Sequence, residues 1–75
     1  MVNKMSVKIE LGRRLKEVRR VAGYTQKQVA EKLFMTQQQY SRFENGIFEL
    51  NYDQLVFLCN LFDVSSDFLL GLENY

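Results

Sequence analysis

Apolar residues recur along this chain at helical spacing, and residues that start or stop helices punctuate them. Leu11, Leu15, Val18 and Ala22 fall at i, i+4, i+7 and i+11, which predicts a first helix over about residues 9–22, with Gly23 as its stop. Val29, Ala30 and Leu33 mark a second helix, and Tyr40 with Phe43 marks a third. Leu55, Leu58, Cys59 and Phe62 predict a fourth over about residues 52–62, with Asp63 in the position that usually takes a left-handed residue. Ser65 opens a short fifth helix holding Asp67, Phe68, Leu69 and Leu70, which Gly71 ends. Thr25 with Gln28, Thr36 with Gln39, and Asn51 with Gln54 each place a capping side chain three residues before an amide partner, so three of the starts are marked twice over. The expectation is one compact all-α domain of five helices over residues 9–75, preceded by a flexible arm over residues 1–8.

The second and third starts lie eleven positions apart, which leaves room for one short helix and a tight turn. Small Ala30 lets the next helix cross closely. That is the geometry of a helix-turn-helix.

The run TQKQVAEKLFMTQQQYSRFENG over residues 25–46 resembles the Cro and phage-repressor (XRE) helix-turn-helix family. Its shared marks are Thr25-Gln26, Val29-Ala30, the polar start Thr36 to Gln39, Tyr40, and Glu44-Asn45-Gly46, and the similarity runs from about Leu11 to Gly71. The resemblance implies a lambda-repressor-like fold and a transcriptional regulator whose partner is double-stranded DNA. It also implies an ion pair between Arg19 and Glu44. Gln26 would contact the phosphate backbone and brace the recognition helix, and Asn45 would be a second backbone contact. Gln37, Gln38 and Arg42 are the candidate base readers. An amide matches adenine N6 and N7, a guanidinium matches guanine O6 and N7, and Gln37 and Gln38 fall in the first turn of the helix that enters the major groove.

The chain departs from the family pattern in three places. Phe34 stands where the turn often has glycine, so it must either adapt the turn or repay a left-handed backbone by packing its ring. Ile47-Phe48-Glu49-Leu50 lacks the basic residues that relatives often set against phosphates. Phe57 replaces a polar residue.

Charge adds an asymmetry that the net value of +1 conceals. All ten basic residues precede Phe43 and meet only three acidic ones there, leaving +7 on residues 1–43; the other six acids leave −6 on the remainder. A cationic half attracts phosphates, and an acidic half faces away from them. Arg13, Lys16 and Arg20 share one face of the first helix and join Lys27 as candidate backbone contacts. The alternative is a salt-bridged surface, with Glu10 on Arg14 and Arg13 on Glu17 at i, i+4.

The absence of histidine removes His-based nucleophilic chemistry, and no metal site, cofactor or small-molecule ligand is expected. With no phosphate loop and no paired carboxylates, an enzyme is not expected either. The single cysteine, Cys59, sits at core spacing between Leu58 and Phe62 and reads as a buried thiol. No apolar run approaches a membrane span, so an intracellular, cytoplasmic protein is expected.

Ile47, Phe48, Phe57, Leu72 and Tyr75 exceed what one small core must bury. Either they form a homodimer interface, which would set two recognition helices about 34 Å apart on an inverted repeat, or the loop residues fold back on their own core. An interaction module, such as an antitoxin or anti-repressor subunit acting through that loop, is the competing function.

Overall fold

The second to fifth helices each start where a side chain can take up N–H groups that the first turn leaves free. In the computed structural model, which describes residues 4–72 and the side chains of residues 7–72, Thr25, Thr36 and Asn51 accept from the backbone of Gln28, Gln39 and Gln54, whose amides reach back to the caps. The elements are α1 Lys4–Ala22, α2 Gln26–Lys32, α3 Gln37–Glu44, α4 Tyr52–Phe62 and α5 Ser66–Leu70, with no strand among the described residues. Ser65 caps α5 through the backbone N–H of Phe68.

All five helices end in the same way. A left-handed residue, in turn Gly23, Phe34, Gly46, Asp63 and Gly71, is followed by one whose N–H returns to a carbonyl five positions earlier. This is the Schellman turn, which satisfies carbonyls that a helix end leaves open.

Helix α1 begins at Lys4, well before the expected residue 9, and takes in most of the stretch read as an arm. Part of the reason lies far along the chain. Val7 extends the Leu11 and Leu15 stripe by one turn, and the Lys8 ammonium donates to the Ile47 carbonyl at 3.3 Å. The buried face of α1 is also rotated from the predicted stripe. Gly12, Leu15 and Arg19 are buried, Leu11 and Val18 are half-buried, and Ala22 is exposed, because α1 packs on α3 as well as on α4 and α5.

The core joins Leu15 of α1 to Val29 and Ala30 of α2, Tyr40 and Phe43 of α3, and Leu58 and Phe62 of α4. Cys59 is buried beside them, and burial pushes its thiol pKa up.

At Phe34 the expectation of adaptation or repayment fails on both counts. Its φ is +58°, and its ring is 97% exposed. The turn itself demands this conformation, since the Phe34 N–H binds the Glu31 carbonyl and the Met35 N–H binds that of Ala30. The half-buried Met35, not Phe34, supplies the packing. A left-handed residue with a Cβ costs about 1–2 kcal/mol, less what glycine loses in the unfolded chain. Phe34→Gly is therefore expected to raise stability by about 1 kcal/mol, seen as a melting point roughly 4–8 °C higher. A melting point equal to or below the parent's would show that the ring contributes.

Candidate nucleic-acid interface

The helix-turn-helix is fixed from beneath by buried charge. Arg19 of α1 and Glu44 at the end of α3 are only 8% and 5% exposed. Arg19 Nε donates to Glu44 Oε2 at 2.6 Å and Nη2 donates to Oε1 at 3.2 Å, while Nη1 donates to the Tyr24 carbonyl at 2.8 Å. The hydrogen bond to Glu44 outweighs burial and raises the Arg19 pKa further, so this guanidinium stays charged. Gln26, the first residue of α2, donates its amide N–H to the same carboxylate at 3.0 Å. The Gln37 amide reaches the Gln26 Oε1 at a long 3.5 Å. One polar chain thus ties α1, the start of α2 and both ends of α3. Tyr40 lies fully buried next to it, its phenol held protonated by burial and by the Glu44 carboxylate. Its hydroxyl has no partner of good hydrogen-bond geometry.

With Tyr40, Phe43 and Glu44 turned inward, α3 presents Gln38, Arg42 and Asn45 outward at i, i+4 and i+7. That spacing makes one exposed stripe. Gln39 is occupied by the cap, and the Ser41 hydroxyl donates to the Gln38 carbonyl at 2.9 Å. Of the three candidate readers, Gln38 and Arg42 therefore share the outer face with Asn45. Gln37 lies at its edge against Gln26.

Arg13, Lys16 and Arg20 come together along a shallow depression on α1, with Glu17 and Val21 between them. Arg13 pairs with Glu10 at 2.7 Å, one turn back, in place of the Glu17 partner expected at i+4. This contact lowers the Glu10 pKa. Arg14 leans instead on the backbone at Gly71, where an added Cβ would meet its Nη1 at 2.8 Å. Lys27 is exposed on α2.

The loop after α3 is held close. The N–H groups of Ile47 and Phe48 both return to the Arg42 carbonyl, at 2.9 and 3.2 Å. This sets the Phe48 ring 6.3 Å from that of Phe43, edge to face, and 5.4 Å from the Arg42 Cζ. Phe48 also lines an apolar cleft of about 190 Å³ with Val7, Leu11, Leu50, Tyr52, Leu55 and Leu70. Ile47, Phe57 and Leu72 are exposed but do not line it, and Tyr75 lies outside the described residues. Sequence reasoning overlooked exposed Tyr52 and Val56, one turn apart on α4, and the pairing of Phe48 with Arg42. The i to i+4 spacing of Tyr52 and Val56 was the available signal for the first.

Comparison with known proteins agrees with this geometry. The family model described as a helix-turn-helix domain matches residues 12–74. The chain belongs to the helix-turn-helix family. Within it, the Thr25-Gln26 to Glu44-Asn45-Gly46 pattern is of the Cro and phage-repressor (XRE) type. Among its relatives, the chain is 48% identical over 65 residues to the HTH-type transcriptional regulator ImmR of Bacillus subtilis, a match covering 87% of this chain and 51% of that protein. It is 42% identical over 59 residues to the SPbeta prophage-derived uncharacterized HTH-type transcriptional regulator YonR of the same organism, covering 79% of this chain and 55% of YonR. The chain spans about half the length of these curated relatives. Among the described residues, no helix of this helix-turn-helix domain is long and apolar enough to cross a membrane.

Proposed function

We propose that the chain is a sequence-specific double-stranded-DNA-binding transcriptional regulator, a repressor that binds an inverted-repeat operator as a homodimer. The observation that carries this reading is the outward stripe of Gln38, Arg42 and Asn45 on a helix whose two ends are tied down by the buried Arg19 and Glu44 and the half-buried Gln26. A reading helix needs side chains free to meet base edges and a backbone that does not give way when they do. The similarity to ImmR and YonR, both HTH-type transcriptional regulators by name, supports the same reading.

Gln37, Gln38 and Arg42 select bases in this account. Asn45, Lys27, Arg13, Lys16, Arg20 and the amide of Gln26 position the backbone. Ile47, Phe48, Phe57, Leu72 and Tyr75 supply the subunit contact. The apolar cleft beside Phe48 and the uncharged pair Ile47-Phe48 favour one second reading, an interaction module that engages a protein through this face.

Selection from a randomised duplex library, followed by titration of the winning site at several salt concentrations, separates the two. A palindrome with half-sites about one helical turn apart, bound with steep salt dependence, is the expected result. A folded protein that enriches no motif would favour the interaction module. In the same selection, Arg42→Ala is expected to relax preference at one base pair per half-site by about tenfold. Equal losses on cognate and scrambled duplexes would remove Arg42 from the readers.

A further inference from the structure

Given that Arg42 reads a base, as proposed above, we infer that Phe48 is the residue that positions it. The Phe48 ring lies against the guanidinium carbon at 5.4 Å, and both ends of the contact are anchored. Phe48 is fixed through its own N–H on the Arg42 carbonyl and through its ring on Phe43, which belongs to the core. Arg42 stands on α3, itself tied to α1 by Glu44.

A ring suits this task better than a carboxylate. It attracts the cation through its quadrupole and leaves both the charge and the hydrogen-bond donors available. Among the described residues no carboxylate pairs with Arg42, so its donors remain free for guanine O6 and N7. A long side chain already confined on the outer face of α3 loses less rotamer freedom when it docks. Phe48 therefore contributes to base preference without touching a base.

The test compares the parent protein with Phe48→Leu, Phe48→Tyr, Arg42→Ala and the Arg42→Ala, Phe48→Leu double variant. Each is taken through selection on the randomised duplex library, then through competition between duplexes carrying a single half-site. Single half-sites are used so that a weakened subunit contact cannot imitate a loss of base preference. Far-UV circular dichroism and a thermal melt confirm folding of each variant.

Phe48→Leu is expected to lower preference at the Arg42-dependent base pair by about two- to fivefold. Phe48→Tyr should retain it, and Phe48→Leu should change nothing further once Arg42 is alanine. If Arg42→Ala relaxes that pair while Phe48→Leu leaves it at the parent value, the positioning role is overturned and Arg42 stays a reader. Phe48→Leu weakening matched and mismatched half-sites equally would also overturn it, because a structural or interface role moves both together. Arg42→Ala leaving every position unchanged would remove the reader and the positioning role at once.

Discussion

Glu44→Ala is expected to lower the stability of the domain by about 3–5 kcal/mol, the cost of leaving a buried charge unpaired. A chain of 75 residues has roughly 4–11 kcal/mol in total, so this one change removes about a quarter of it or more. The carboxylate accepts from Arg19 Nε, Arg19 Nη2 and Gln26 Nε2. Without it, the Arg19 guanidinium stays buried and keeps, among the described residues, only the Tyr24 carbonyl as partner. Were the pair exposed, the loss would be under about 1 kcal/mol, so urea denaturation followed by circular dichroism decides between the two. Arg19→Met combined with Glu44→Leu should recover much of the loss, because removing both charges removes the desolvation that one leaves behind. If the double variant is no more stable than Glu44→Ala, packing rather than an orphaned charge is responsible. Gln26→Ala should cost only about 1 kcal/mol, since Glu44 then keeps both bonds from Arg19.

The parts of this fold that were legible in the sequence are those that local chemistry decides. A capping box needs two residues at a fixed spacing and nothing else, so the starts of α2, α3 and α4 were readable at Thr25, Thr36 and Asn51. The start of α1 was not. Part of its support comes from Ile47, 39 residues beyond Lys8, and the local sign is a single residue, Val7, one turn before Leu11. The apolar stripe of α1 misplaced the buried face for a related reason. One side of that face is Arg19 and Gly12, a charge and a missing side chain, and hydrophobic periodicity registers neither.

Family resemblance brought Arg19 and Glu44 together, yet gave no sign that Gln26 shares the carboxylate. Phe48 read as surplus apolar surface because its neighbour, Arg42, is set by how the chain turns at Gly46. Phe34 shows the reverse case. The sequence marked the position as costly, and the turn accepts the cost because two backbone hydrogen bonds require that conformation.

Gly12 carries the second large effect, and there the sign of the change is itself diagnostic. At an open helical site Gly→Ala stabilises by about 1 kcal/mol, because alanine loses less backbone freedom on folding. Gly12 is in the interior of α1 but faces the last turn of α3. A Cβ added there would lie 2.5 Å from the carbonyl oxygens of both Phe43 and Glu44. Neither oxygen can retreat cheaply, since Phe43 is core and Glu44 is pinned to Arg19. Gly12→Ala is therefore expected to destabilise by about 1–3 kcal/mol despite its better helix propensity, and Gly12→Val by more. A thermal melt beside Lys16→Ala, an exposed change on the same helix, provides the comparison. Relief of the clash would move α3 away from α1, so Gly12→Ala should also lose affinity for the selected operator when measured well below its melting point. An alanine variant as stable as the parent would mean that α1 and α3 do not approach closely enough at Gly12 to need a glycine.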